Sequence, residues 1–224
     1  MKVGFIATAH WSDKYRPDGG KFITRFCNTL HESCIYDYNL YVIDNSSQYK
    51  LNIPNSAIYI FIEDQTKEGI TGAWNLGINC AYEDGCDIII NCNDDLWFNE
   101  TINILIQHII DNSDVNAIYS GLTDGILHGT QLSNGPGTGI QIKNGHNIIG
   151  GFCFAMTRNH YEKYRFEKTK YFNVNNKYNG GDGKWGGQEG QFMENSEKGL
   201  YGIVVNECFI PHTKVRGWKQ LKNL

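Results

Sequence analysis

The stretch Ile88-Ile89-Ile90-Asn91-Cys92-Asn93-Asp94-Asp95-Leu96-Trp97 decides how this chain is read. An apolar run of strand length stops abruptly at an asparagine and two aspartates. Unpaired carboxylates are too costly to bury, so the pair marks the point where a buried strand emerges. Two adjacent carboxylates at such a point suit a hard cation such as Mn²⁺ or Mg²⁺, which needs few protein ligands when a substrate phosphate supplies the others. In open α/β sheets, ligands sit outside the carboxyl ends of the strands, where this pair falls. The plainer alternative is an acidic turn that caps the following helix.

Working outward, the first half alternates strand and helix patterns. Val3–Ala9 is a short apolar run, and Phe22–Ser33 has helical spacing through Phe22, Phe26 and Leu30. Leu40–Ile43 and Ala57–Ile62 read as strands, and the former ends in Asp44-Asn45-Ser46-Ser47. Gly69–Glu83 carries an apolar stripe at Ile70, Ala73, Trp74, Ile78 and Ala81. Asp87–Cys92 reads as a strand, about Asn99–Ile110 as a helix, and Ala117–Gly121 as a further strand. Repeated β-α-β order implies an α/β fold with a mostly parallel central sheet covered by helices. Right-handed crossovers then bring Thr8, Asp44 and Asp94/Asp95 to one edge.

The second half differs. Residues 122–147 and 173–190 are rich in Gly and Asn with weak periodicity, apart from a hairpin expected around Gly139–Ile142. Gly150–Thr157 reads as a strand and Asn159–Phe166 as a Tyr-rich helix, with strand-like runs at Ile203–Val205 and Phe209–Ile210. Long Gly-rich loops within a compact domain are characteristically functional. No linker, repeat or charge block divides the chain. We therefore expect one domain over residues 1–224, with a nucleotide-sugar-binding half at 1–121 and an acceptor-binding half at 122–224.

Composition narrows the classes. At 224 residues, 41% hydrophobic and 20% charged, the chain is long enough for one well-buried core. A net charge of −4 gives no basic footprint for nucleic acid or an anionic membrane. No run approaches a transmembrane helix, and Met1–Ala7 reads as a first strand rather than a signal peptide. The 7 cysteines have no CxxC spacing, which points to free thiols in a reducing cytoplasm and away from structural zinc.

Several blocks, in order, resemble the GT-A glycosyltransferases, in particular the family 2 inverting nucleotide-sugar transferases. They are YVIDNSS at Tyr41–Ser47, GITGAWNLGINCAYEDGCDIIINCNDDLWF at Gly69–Phe98 and GGFCFAMTRNHYEKYRFEK at Gly150–Lys168, followed by GGQEGQF at Gly186–Phe192 and FIPH at Phe209–His212. The chain departs from the family pattern in three places. Its triplet is Asn93-Asp94-Asp95 where Asp-x-Asp or Asp-Asp-x is usual. Trp74 stands where a basic residue is common, and Gln188-Glu189 replaces a Glu-Asp pair.

The resemblance implies a Rossmann-like GT-A fold, a metal-dependent inverting transfer, and roles for individual residues. The donor is a nucleoside-diphosphate sugar, UDP being the commonest, with GDP and dTDP sugars as alternatives; the acceptor is a hydroxyl on a glycan or glycoconjugate. Asp44 would accept a hydrogen bond from the base edge, although an Asx turn also explains it. Thr8 and Ala9 would line the base or ribose pocket. Asn75 and Asn93 would belong to the nucleotide site, Asp94 would face the ribose, and Asp95 would hold Mn²⁺ or Mg²⁺, with His212 a further ligand. Gly69 and Gly72 open a helix whose first N–H groups could face an anion. Glu189 would deprotonate the acceptor hydroxyl, Gln188 would contact the acceptor, and Trp185 offers either a sugar-stacking platform or a core anchor.

Two other classes remain. A sugar-nucleotide nucleotidyltransferase opens with a Gly-rich strand-turn and a basic phosphate clamp. Ala7-Thr8-Ala9-His10 lacks the glycines, although Lys14, Arg16 and Gly19-Gly20 follow. A non-catalytic nucleotide-sugar or carbohydrate binder would need neither the acidic pair nor Glu189.

Overall fold

The structure, a computed structural model, describes residues 1–125, 131–144, 149–176, 183–185 and 188–212, with backbone alone at 189 and 193. The strands are β1 (Val3–Ala9), β2 (Tyr38–Asn45), β3 (Ile58–Ile62), β4 (Ile88–Asn93), β5 (Ala117–Leu122), β6 (Ile140–Lys143), β7 (Cys153–Thr157) and β8 (Tyr201–Phe209). The helices are α1 (Gly19–Ser33), α2 (Gly69–Glu83), α3 (Ile102–Asp111), α4 (Arg158–Tyr164) and α5 (Glu189–Ser196). Together they build an 8-stranded sheet in the order β3-β2-β1-β4-β7-β5-β8-β6.

Alternation along the central strands explains the two cores. Phe5 and Ile90 point to the face covered by α1 and α3, where Phe26, Leu30, Leu105 and Ile106 are buried. Ile6 and Ile89 point to the other face, where Trp74 and Ile78 of α2, Tyr161 and Tyr164 of α4, and Phe192 of α5 pack. With both faces covered, β1 and β4 read as continuous apolar runs rather than alternating ones.

Parallel ladders join β1 to β2 and β1 to β4, as the β-α-β pattern requires, and β2 to β3, although residues 46–57 between those two strands contain no helix. Beyond β4 the sheet departs from that pattern. β7 inserts antiparallel between β4 and β5, while β5 pairs with β8 in parallel. The sheet is therefore mixed, with its parallel run concentrated in the first half. Cys153, Phe154, Ala155 and Met156 are buried on alternate faces, which suits β7 to a slot with neighbours on both sides.

Two local expectations are corrected. Among the described residues Gly139–Ile142 forms no local hairpin: β6 pairs antiparallel with residues 202–205 of β8, and Ile140 and Ile142 are exposed on the sheet edge. The runs at 203–205 and 209–210 belong to one strand, interrupted where the register slips from Gly121↔Val205 to Leu122↔Phe209. The slip re-aims the end of β8. His212 then pairs with Leu96 in an isolated bridge, and Trp97 N–H donates to the Pro211 carbonyl at 3.1 Å. No helix among the described residues is long and apolar enough to cross a membrane.

Candidate active site

The parallel register itself assembles the site. Thr8 lies opposite Asn93, and Ala9 lies opposite Asp44, so the ends of β1, β2 and β4 present their polar residues side by side. Asp94 follows at once and is 3% exposed, a depth that a solvated acidic turn would not reach. His212 arrives from the end of β8 and places Nε2 3.0 Å from Asp95 Oδ1. Its ring stacks on Phe152, and its backbone N–H donates to Asp124. Gly125 is required beside it: a Cβ there would sit 2.4 Å from His212 Nδ1.

Between the strand ends lies a cation that sequence reasoning did not place there. Arg16 Nη2 is 2.5 Å from Asp94 Oδ1 and 3.1 Å from Asp95 Oδ2. Burial alone would raise both carboxyls. It prevails at Asp94, whose pKa is raised, whereas the His212 hydrogen bond and the Arg16 charge overcome it at Asp95, whose pKa is lowered. The two acids thus sit in unlike environments, a frequent mark of functional sites. The available signal was that Arg16 is a basic residue between the first strand and the first helix.

Several polar atoms around this cluster lack partners among the described residues: Thr8 Oγ1, Asn45 Oδ1, Asn93 Oδ1 and Asp94 Oδ2 are buried with no hydrogen bond there. Leaving such an atom unsatisfied costs about 1–3 kcal/mol, and native proteins leave few. Four at adjacent strand ends mark a surface that a polar ligand would complete. A groove of about 680 Å³ beside α1, lined in part by Trp11, Thr24, Arg25, Asn28 and Asn52, lacks the acidic pair and does not carry the site.

Several of the sequence-predicted site residues also make internal contacts. Asn75 donates Nδ2 to the Phe172 carbonyl at 2.9 Å and accepts Phe172 N–H at 2.8 Å, which ties α2 to Phe172. Gly69 and Gly72 donate their N–H groups to Gln65 and Glu68, and Thr71 N–H donates to Lys184 at 3.1 Å. The start of α2 is thereby tied to Lys184 of the 183–185 segment. Gly69, at φ +61, is also pressed against that segment: a Cβ there would lie 2.5 Å from the Lys184 carbonyl oxygen. Gln188 Nε2 donates to Thr71 Oγ1 at 2.6 Å, which fixes the start of α5 against α2.

Asp44 is held on both oxygens, by Ser47 N–H at 2.8 Å and by Tyr59 Oη–H at 2.6 Å. Ser47 makes the turn contact anticipated for an Asx motif. Each carboxylate oxygen retains a further lone pair for a base donor. Trp185 is 46% exposed, which places it on the surface and not in the core. The backbone of Glu189 opens α5, and its side chain lies outside the described residues.

The donor set can be tested against a divalent cation. Asp95 and His212 meet at 3.0 Å and Asp94 Oδ2 is unpartnered, a carboxylate-imidazole set suited to Mn²⁺ or Mg²⁺. Among the described residues no three His, Cys, Asp or Glu side chains close a metal site by themselves. Such a set fits a cation that takes its remaining ligands from a bound diphosphate.

A helix-covered sheet with acidic residues at the carboxyl ends of its parallel strands defines a GT-A-type α/β domain. Residues 18–165 match glycosyl transferase family 2, and the chain belongs to that family. A comparison with curated proteins finds no sequence match. Among solved structures, the fold is similar to the 1–349 portion of Staphylococcus aureus TarS, with a TM-score of 0.61 and 13% identity over 95% of this chain and 60% of that one. The same portion in complex with UDP-GlcNAc gives a TM-score of 0.55 at 13% identity, over 97% of this chain and 60% of that one. A longer TarS chain gives 0.56 at 14% identity, over 96% of this chain and 37% of that one. The chain thus spans well under two thirds of the TarS chains it resembles.

Proposed function

We propose that this chain transfers a sugar, with inversion, from a nucleoside-diphosphate sugar to a hydroxyl of a glycan or glycoconjugate, with UDP as the donor nucleotide. The observation that carries the reading is the Asp94/Asp95 pair, with Asp94 buried, set among oxygens that lack partners among the described residues at the ends of β1, β2 and β4, in a family 2 chain. The solved complex of TarS with UDP-GlcNAc, a protein of similar fold, supports UDP.

In this reading Asp44 accepts from the base, and Asp94 and Thr8 bond the ribose hydroxyls. Asp95 and His212 hold Mn²⁺ or Mg²⁺, which when bound supplies Lewis-acid stabilisation of the leaving diphosphate. Glu189 removes the proton from the acceptor hydroxyl. Inversion needs that base on the side of the anomeric carbon opposite the diphosphate. An origin in the second half of the chain, at the start of α5, is consistent with that requirement. Trp185, exposed on the preceding segment, offers an aromatic face to the acceptor sugar.

The test is a panel of UDP, GDP and dTDP sugars, each with Mn²⁺ or with chelator, monitored for nucleoside-diphosphate release and for nucleotide affinity. Metal-dependent release from a UDP sugar supports the reading. Binding of every nucleotide without release, at any metal concentration and with glycan acceptors present, would assign the chain to binding alone.

A further inference from the structure

Arg16 bridges the two carboxylates of the acidic pair, and it does so on a built support. Residues 12 and 16 form an antiparallel bridge, with Arg16 N–H donating to the Ser12 carbonyl at 3.0 Å. The turn is pinned to the end of β2: Trp11 N–H donates to Ser47 Oγ at 2.9 Å, and Gln48 N–H donates to the Trp11 carbonyl at 2.8 Å. Gly19 closes the turn where no side chain fits, since a Cβ would lie 2.1 Å from the His10 carbonyl oxygen. The backbone is therefore fixed over the strand ends, and only the Arg16 side chain needs to move.

Where it sits, the guanidinium spans both carboxylates with one nitrogen, and its Nε–H is buried without a partner among the described residues. It neutralises part of the acidic pair but leaves one of its own donors unused. A guanidinium presents N–H donors in a planar fork that suits phosphate oxygens as well as carboxylates. A divalent cation and a guanidinium sharing the Asp95 carboxylate would repel one another across a few ångströms of low-dielectric protein. A bound diphosphate removes that conflict, because it supplies oxygen ligands to the metal and an anionic partner to the displaced arginine.

We propose that Arg16 is a resident cation that competes with the divalent metal for Asp94 and Asp95, so that metal uptake is coupled to arrival of the donor diphosphate. This rests on the assignment of Asp95 to the metal made above. Thermodynamic linkage gives the coupling a measurable form: the ratio of Mn²⁺ affinities with and without UDP.

Titration calorimetry, supported by electron paramagnetic resonance of free Mn²⁺, measures that ratio for wild type, Arg16→Gln and Arg16→Lys. Wild type should bind Mn²⁺ weakly alone and much more tightly with UDP. Arg16→Gln, which keeps a hydrogen-bonding head without the charge, should bind Mn²⁺ alone at least about tenfold more tightly and lose most of the coupling ratio. Arg16→Lys should fall between, because an ammonium is a point charge rather than a fork. It also serves as the informative variant if Gln fails to fold. An unchanged ratio in a folded variant overturns the competition while leaving the metal assignment standing. No Mn²⁺ binding by wild type or variant, even with saturating UDP, overturns both.

Discussion

Two regions of this molecule contain the same kinds of polar residue and use them in opposite ways. At the ends of β1, β2 and β4, Thr8, Asn45, Asn93 and Asp94 each bury a side-chain oxygen that has no hydrogen-bond partner among the described residues. Where α2 meets Phe172, Gly183 and Gln188, the side chains of Thr71, Asn75 and Gln188 are also buried but closed into internal pairs. Residue type does not separate the two groups. Whether the fold satisfies the atom does, and that property distinguishes a surface waiting for a ligand from a fastening.

The contrast is open to direct attack, beginning at the acidic pair. Asp95→Asn should reduce transfer by about 10³-fold, in the upper range for loss of an electrostatic contact to developing charge. It should also abolish the Mn²⁺ dependence of UDP binding. Calorimetry that shows equal UDP affinity with metal and with chelator in wild type would remove Asp95 from that role. Glu189→Gln should lower turnover by about 10²-fold, the scale of a general base, with donor affinity little changed. NMR of the product anomer accompanies that measurement, and retention of configuration would exclude Glu189 as the base.

Asn75→Ala probes the other side of the contrast. It leaves the Phe172 N–H and carbonyl buried without partners, so stability should fall by roughly 2–4 kcal/mol in a denaturant titration while UDP affinity stays within a few-fold. A loss of UDP affinity in a variant of unchanged stability would return Asn75 to the nucleotide site. Asp44→Ala should have the smallest effect on binding, about tenfold in UDP affinity, with weaker discrimination among bases. Unchanged base preference in competition would leave Asp44 with only its contacts to Ser47 and Tyr59.

Much of the first region was legible in the sequence because it depends on local pattern and on one topological rule. Apolar runs ending in Asp44 and in Asn93-Asp94-Asp95 mark strand ends, and parallel order brings them together. The insertion of β7 was not legible, since a buried strand reads the same in parallel and antiparallel surroundings. The fastening at Asn75 depends on Phe172, 97 residues away, and no local signal announces it. Arg16 was visible as a basic residue near the first strand. Its place between two carboxylates emerges only when the 12–16 bridge folds back over the sheet.

The insertion of β7 also bears on how the chain is made. Once β1 to β4 have left the ribosome, one edge of β4 can pair with β1, but its other edge, Ile88–Cys92, has to wait for β7. Cys92 meets its cross-strand neighbour Cys153 only 61 residues later. At about 5–20 residues per second, that delay is roughly 3–12 s. Throughout it the growing chain carries an unpaired strand edge that opens on Ile88, Ile89 and Ile90, the kind that recruits other chains. Folding yield in a cell should therefore depend on chaperone cover over this interval, and slowing translation between codons 93 and 152 should lengthen the exposure and increase aggregation.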